Sequence, residues 1–395
     1  MKHRLLALLM LTLAAPAAAQ SLRLDAHLDL PASADKPGWT GLSDPTSVFD
    51  LEKAHAGGLT AGSIALFVRQ GDGTPEALAQ AKQALITRDA AIHAIAERNP
   101  GRAALALSPA DVRKIVASGR FAVIESMLNP WAIGSDASAF DHWYARGVRI
   151  VGFVHAGHNQ FADSSRPALE RGEVANHNGG LTPLGRQAVA RLNDLGILID
   201  VSQLSENGVA QVLALSRAPV LASHSNIRAI VDHPRNLSDA QLDAIKAKGG
   251  VVAVNAFSAW VKARSAATQN QIAALRRSYG LSEQGGARLS PEKQKEYDHR
   301  YHEITEREPP GTLADYVDSV EYAVKRIGVD HVALSSDFNH GGGVVGWSNA
   351  AESANVAAEL KKRGYSDADI AKLWGGNVLR VWQAAIDASA KPAKS

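Results

Sequence analysis

Eight short apolar runs, separated by segments with helical character, constrain the fold of this chain more than any other feature. Between the runs lie Ala-rich or amphipathic stretches with clear helix starts, such as Ser108-Pro109 and Thr182-Pro183. No Gly-rich dinucleotide turn is present, and strands that alternate with helices indicate a parallel sheet. The sequence predicts a single α/β domain, a (β/α)8 TIM-type barrel, with a doubly wound sheet as the alternative. The runs occupy 22–31, 61–68, 121–127, 148–155, 197–203, 218–225, 250–257 and 332–338.

Length and composition fit one exported globular domain. The chain has 395 residues, of which 46% are hydrophobic and 21% charged. Residues 1–19 have the pattern of a secretory signal, with Lys2 and Arg4 before an apolar core and a small-residue cleavage site ending at Ala19. We therefore expect a periplasmic or secreted protein without a membrane anchor. Residues 20–390 would form the barrel, with a polar helical insertion or lid at about 260–311 and a frayed tail at 391–395.

Charge and cysteine content exclude several functions. The formal net charge is +2, and loss of Lys2 and Arg4 with the leader would bring it to 0. This balance gives no electrostatic reason to expect nucleic acid or a membrane surface as partner. Because the sequence has no Cys, disulfides and thiolate metal ligands are excluded, and a metal ion would have to be held by His and carboxylates.

Polar residues stand at or near the carboxyl ends of six apolar runs. Such ends converge at one mouth of a barrel, where catalytic groups of this fold lie. In the first run, Asp25, His27 and Asp29 are two residues apart, which predicts that they share one face of the strand. A capping Asp or a core His explains one such residue, but not six strands together, so we expect a divalent metal site. The residues are His27, Asp29, Glu125, His155, Gln203, His224 and Asp337.

Two neighbouring divalent ions are the arrangement that this set suggests, since a pair about 3.5–4 Å apart activates water and polarises a carbonyl group. The two oxygens of the Glu125 carboxylate could each bind one ion and hold the pair together.

The order and spacing of short motifs along the whole mature chain are specific. With them the chain resembles the membrane (renal-type) dipeptidases, a family of zinc-dependent peptidases. The motifs are Asp25-Ala26-His27-Leu28-Asp29-Leu30-Pro31, Ile124-Glu125, Val154-His155, Ala162-Asp163-Ser164, Gly180-Leu181-Thr182-Pro183-Leu184-Gly185, Asn193-Asp194-Leu195-Gly196, Ile199-Asp200-Val201-Ser202, Ser223-His224-Ser225, Arg235-Asn236-Leu237-Ser238-Asp239, Ser336-Asp337-Phe338 and Gly375-Gly376-Asn377-Val378-Leu379-Arg380.

The resemblance implies a role for each candidate. His27, Asp29 and Glu125 would bind the first zinc, and Glu125 would bridge to a second zinc held by His224 and by residue 203. His155 would stabilise the developing oxyanion. Arg235 would pair with the free carboxylate of a dipeptide. Asp337 would carry a proton from water to the leaving amine.

One position departs from the family pattern. Gln203 stands where the family commonly has His, and a neutral amide oxygen is a weaker zinc ligand than imidazole. We therefore expect one tight zinc site and a weaker second site, which Gln203→His should tighten. His158 is expected to be a loop residue, and His340 is a candidate for the rim of the pocket.

The leading interpretation is an exported zinc dipeptidase that tolerates a D-residue at the second position. The alternatives are hydrolysis of another small amide or lactam at the same metal site, and a metal- or peptide-binding protein that lost turnover through Gln203. A homodimer is a further implication of the resemblance, since the sequence itself carries no interface signal.

Overall fold

A parallel sheet closes on itself to form the centre of the molecule. The computed structural model describes residues 21–71, 73–281 and 289–390, so the predicted leader and tail lie outside the described residues. The described strands are β1 (Leu24–Asp29), β2 (Ala61–Phe67), β3 (Ala103–Leu105), β4 (Phe121–Leu128), β5 (Val148–Gly152), β6 (Leu198–Asp200), β7 (Leu221–Ser225), β8 (Val251–Asn255) and β9 (Val332–Ser335).

Eight of these strands follow one another around the barrel in the order β1-β2-β4-β5-β6-β7-β8-β9, with every pairing parallel. β9 returns to β1 at the carboxyl ends, where the Asp29 N–H donates to the Phe338 carbonyl over 2.9 Å. The Asp337 N–H likewise donates to the His27 carbonyl over 3.1 Å. The eight-stranded barrel predicted from the apolar runs is confirmed.

β3 is an addition that the sequence did not reveal. It pairs with the first three residues of β4, at the amino-terminal end of that strand, and lies outside the order of strands that forms the barrel. Its three residues, Ala-Ala-Leu, are too few to show a strand pattern between a Pro-Gly turn and the next helix.

Helices surround the strands, and most begin at a polar cap. The Ser108, Thr182 and Thr312 side chains, for example, each accept an N–H from the first turn of the following helix. The helices are α1 (Leu51–Ala56), α2 (Pro75–Glu97), α3 (Pro109–Ala117), α4 (Ala139–Arg146), α5 (Pro183–Leu195), α6 (Glu206–Leu215), α7 (Asp239–Ala247), α8 (Ser258–Val261), α9 (Ala266–Ser278), α10 (Pro291–Thr305), α11 (Leu313–Ile327), α12 (Ser353–Lys362), α13 (Asp367–Ala371) and α14 (Asn377–Asp387).

The segment predicted as an insertion contains α9 and α10, and residues 282–288 between them lie outside the described part of the chain. None of the described helices is long and apolar enough to cross a bilayer.

Side chains on each strand alternate between two buried layers. On β8, Val251 and Ala253 point into the barrel, whereas Val252 and Val254 pack in the layer between strands and helices. On β2, Ala61 belongs to the inner cluster and Ile64 to the outer one. This alternation decides which polar side chains reach the mouth of the barrel.

Candidate active site

A β-bulge in β1 sets the direction of the first candidate residues. Asp25 pairs with Gly62 and Leu28 pairs with Ile64, so three steps along β1 match two steps along β2. Asp29 then pairs with Ala65, on the opposite face from Asp25. The expectation that Asp25, His27 and Asp29 share one face is therefore wrong, since it assumed a regular strand.

Asp25 instead closes the barrel. Its Oδ1 accepts the N–H of Ser336 over 3.0 Å and the N–H of His27 over 3.2 Å. Complete burial raises the pKa of Asp25 to about 6. This side chain joins β1 to the end of β9 and is not part of the mouth.

His27, Asp29 and Asp337 form a compact group of buried ligand atoms. The His27 Nε2 lies 3.2 Å from the Asp29 Oδ2 and 3.9 Å from the Asp337 Oδ1. One such atom from each of the three residues lies within 4.8 Å of the other two. The His27 Nε2 and Asp29 Oδ2 are buried without a hydrogen-bond partner among the described residues. Buried polar atoms of this kind require a partner, and this donor set fits one divalent cation.

Asp337 and Asp29 are each held by a second neighbour. The Asn255 Nδ2 donates to the Asp337 Oδ2 over 3.1 Å, and the His340 Nδ1 lies 3.2 Å from the Asp29 Oδ1. Burial raises the pKa of Asp337. Burial acts the same way on Asp29, but His340 and His27 outweigh it and hold the pKa of Asp29 below its usual range. Asp337 thus lies among the candidate metal-binding atoms, whereas the sequence predicts contact with the substrate and proton transfer for it.

His224 stacks on His27, with ring centroids 3.8 Å apart, but its nitrogens are already in use. The Gln203 Nε2 lies 2.9 Å from the His224 Nε2, and the Arg166 Nη2 donates to the Gln203 Oε1 over 2.5 Å. Because the Gln203 oxygen faces a guanidinium, its amide nitrogen must donate to His224. The Nδ1 of His224 therefore carries the proton.

The chain of hydrogen bonds continues behind His224. Its Nδ1 lies 2.7 Å from the Ser223 Oγ, which donates to the Asp200 Oδ2 over 2.5 Å. Burial and the neighbouring cationic groups lower the pKa of His224 well below its usual value, as this neutral tautomer requires. Gln203 and His224 are thus committed to one another and do not present free atoms to a second ion.

Glu125 lies outside the mouth, so the structure does not bring it together with the other residues predicted as zinc ligands. It pairs with Ile64 in the sheet, so its side chain points into the outer layer between strands and helices. There its Oε2 lies 3.3 Å from the His93 Nε2 of α2. Asp89, which pairs with Arg146, completes this separate group. Burial raises the pKa of Glu125 to about 7. The two-ion centre expected from the sequence therefore does not fit the residues at the mouth.

His155 and His340 lie together at the rim. Their rings stack at 4.8 Å, and the Phe67 ring lies 4.7 Å from His155. Burial and Arg166 lower the pKa of His155 well below its usual value, so the ring is neutral and carries one N–H. His340, a candidate for the rim, lies there beside His155. His158 lies in a loop, where its Nδ1 accepts the Ser164 N–H over 3.0 Å.

Two guanidinium groups border the same tryptophan. The Arg235 Cζ lies 4.9 Å and the Arg166 Cζ 5.6 Å from the Trp260 ring centroid. Arg235 donates to the Ser225 Oγ over 3.3 Å and to the His224 carbonyl. Sequence reasoning named Arg235 but missed Arg166. Arg166 stands in a loop two residues after the Ala162-Asp163-Ser164 motif. Its closeness to this motif was the available signal in the sequence.

A cavity of about 730 Å³ opens at the rim beside His155 and His340. Phe67, His155 and His340 line it on the barrel side, and Leu289, Pro291 and Gln294 line it from the segment that starts α10. The segment predicted as an insertion therefore contributes a wall of this cavity.

A closed parallel barrel whose mouth holds a buried histidine and two carboxylates is an arrangement found in the class of metal-dependent α/β-barrel hydrolases. Comparison with known families specifies it further. The model of the family described as membrane dipeptidase (peptidase family M19) matches residues 14–395, and the chain belongs to this family.

Named relatives and solved structures agree with this assignment. The chain is 30% identical to dipeptidase tcpJ of Claviceps purpurea over 284 residues, which are 71% of this chain and 55% of that protein. It is 29% identical to dipeptidase verJ of Clonostachys rogersoniana over 304 residues, or 76% of this chain and 64% of that protein. The chain thus spans less than two thirds of these relatives.

Among solved structures, the probable dipeptidase PvdM from Pseudomonas aeruginosa is 41% identical, with 94% of this chain and 96% of that chain covered and a TM-score of 0.87. A metallo peptidase from Rhodobacter sphaeroides, solved with a phosphinate mimic of L-Ala-D-Ala, shares the fold at 22% identity. The alignment covers 93% of this chain and 99% of that one, with a TM-score of 0.72.

Proposed function

We propose that this protein is a metal-dependent dipeptidase that binds one catalytic divalent ion, zinc, between His27, Asp29 and Asp337. The observation that carries the proposal is a pair of buried atoms 3.2 Å apart, His27 Nε2 and Asp29 Oδ2, which lie beside Asp337 and have no hydrogen bond within the described part of the chain. One imidazole and two carboxylates form a donor set that zinc accepts.

The bound ion would act as a Lewis acid on the scissile carbonyl group and lower the pKa of a water molecule. Asp337 would take a proton from the water as the new C–O bond forms, and would deliver that proton to the nitrogen of the leaving amine as the C–N bond breaks. His155 is neutral and would donate its N–H to the carbonyl oxygen as that oxygen gains negative charge. Arg235 would bind the free carboxylate of the substrate.

The substrate we propose is a dipeptide with a free C-terminal carboxylate and tolerance of a D-residue at the second position. The dipeptidases among the relatives support this substrate class, and so does the fold shared with the structure that holds a mimic of L-Ala-D-Ala. Parallel assays with L-Ala-D-Ala and L-Ala-L-Ala test the tolerance. Hydrolysis of the L,L form alone would contradict it.

Metal analysis of the purified protein tests the centre. We expect one zinc ion per chain by plasma mass spectrometry, activity that is lost on chelation and regained with one equivalent, and loss of both ion and activity in Asp29→Asn. Asp89→Asn is the matched control, because Asp89 belongs to the separate carboxylate–histidine group on α2 and its replacement should leave the zinc content unchanged. A second tightly bound ion, or an ion retained by Asp29→Asn, would contradict the proposal.

Export is proposed on the sequence of residues 1–19, which lie outside the described part of the chain. N-terminal sequencing of the protein from a periplasmic or culture fraction should begin at or near Gln20. A start at Met1 in the mature protein would overturn it.

A further inference from the structure

Arg166 and Arg235 are two positive charges at the mouth without a carboxylate partner in the described part of the chain. Arg235 bonds to a serine hydroxyl and a carbonyl group, and Arg166 bonds to the neutral Gln203 side chain. The Nε of each guanidinium is buried and has no hydrogen-bond partner among the described residues. Buried cationic donors in this condition are costly unless a ligand supplies the negative charge.

The nearby carboxylates already have other partners. Asp29 and Asp337 carry the two negative charges that a divalent ion would neutralise. Asp200 accepts the Ser202 and Ser223 N–H groups, each over 2.9 Å, and the Ser223 hydroxyl. With the ion bound, the two guanidinium groups at the mouth therefore remain without a carboxylate contact among the described residues. One substrate carboxylate on Arg235 accounts for only one of them.

We propose that Arg166 is a specificity residue that binds a second anionic group, so that preferred substrates are dipeptides ending in an acidic residue. The two guanidiniums lie 4.9 and 5.6 Å from the centre of one Trp260 ring. Burial and the charge of Arg166 lower the pKa of Arg235, so the two groups are near neighbours. In a C-terminal Asp or Glu the two carboxylates are only three or four bonds apart, and such a residue can engage both guanidiniums. This inference rests on the proposed dipeptidase function and narrows its substrate class.

The test compares two substrates of equal size, L-Ala-L-Glu and L-Ala-L-Gln, which differ by one negative charge. We expect the wild-type protein loaded with zinc to favour L-Ala-L-Glu at least tenfold in kcat/KM, mostly through a lower KM. In Arg166→Met the ratio of the two kcat/KM values should fall to about one. Arg264→Met is the matched control, since Arg264 lies over Tyr301 and should leave the ratio unchanged.

Two results would overturn the inference. One is a wild-type ratio near one. The other is an Arg166→Met variant that loses activity toward both substrates equally, which would make Arg166 a positioning residue for Gln203. If neither dipeptide is hydrolysed, titration calorimetry with the same two dipeptides tests the binding role of Arg166 separately from dipeptidase activity. Tighter binding of L-Ala-L-Glu that depends on Arg166 would support the specificity role of Arg166 although the proposed dipeptidase function fails. Equal binding of the two dipeptides would contradict both the specificity role and the proposed function.

Discussion

Replacing Glu125 by Gln provides the sharpest test of the side-chain directions in this barrel. From the sequence, Glu125 is expected to bridge two metal ions. In the structure its side chain is buried against His93 on the outer face of β4. Because Glu125 lies away from the mouth, the neutral isostere should keep the metal content at the wild-type value. If Glu125 is a bridging ligand, the variant loses metal.

The stability of this variant should depend on pH in a defined way. Burial raises the pKa of Glu125 from 4.5 to about 7, and each pKa unit corresponds to about 1.4 kcal/mol. Below pH 4.5 both the folded and the unfolded chain hold the proton. As the pH rises from 4.5 through about 7, the unfolded chain releases it first, so the folded state loses about 3 kcal/mol by this effect. Gln has no proton to release and escapes this loss.

The hydrogen bond with Glu125 also raises the pKa of His93. A carboxyl group has this effect on a histidine mainly while it is charged, and Glu125 holds its proton well below pH 7, so the pair adds little stability at pH 5. The change in unfolding free energy should therefore move by about 2–3 kcal/mol in favour of the variant between pH 5 and pH 8.

Urea unfolding followed by the fluorescence of the 7 tryptophans at pH 5 and pH 8 measures this difference. Glu97→Gln is the matched control, because Glu97 lies 3.9 Å from the same histidine with a side chain that is 73% exposed. It should change stability by about 0.5 kcal/mol or less at either pH. A Glu125→Gln variant that is equally destabilised at both pH values, or one without metal, would refute the reasoning.

Two further predictions follow from the contacts at single positions. Gln203→His should leave the metal content at one ion per chain, because Arg166 still lies beside position 203; two ions per chain by plasma mass spectrometry would contradict the one-ion centre. Gly185→Ala should cost several kcal/mol or prevent folding, because its Cβ would lie 2.0 Å from the Phe161 carbonyl oxygen. Gly101→Ala is the control in thermal unfolding, since nothing lies within 4 Å of that Cβ, and equal melting temperatures for both variants would count against the described packing.

The barrel could be predicted because each of its strands is buried on both faces and therefore appears as a continuous apolar run. The same property explains the error at Glu125. Every residue of β4 is buried, so no polar alternation marks which side chains point into the barrel, and only the pairing of Glu125 with Ile64 settles its direction. Asp25 was misplaced for a related reason, since a bulge reverses the alternation without a mark in the sequence.

The parts of the site that were predicted share a simple origin. His27, Asp29, His224 and Asp337 meet because the carboxyl ends of parallel strands converge, whatever the details of pairing. Arg166 comes from an irregular loop, where no period relates position to direction. The positive φ of Gln203 (69°) and Asp337 (59°) is equally invisible in the sequence.

The seam between β1 and β9 brings together the two ends of the fold. Ser336 and Asp25, which join across it, are 311 residues apart in the chain, and the proposed ion would take two ligands from β1 and one from the residues that follow β9. The unfolded chain does not hold these three ligands together, so the ion would bind the folded state alone, and its binding free energy would add to the free energy of unfolding. In a protein without cysteine, the catalytic ion would then also be the cross-link that fastens the first strand to the last.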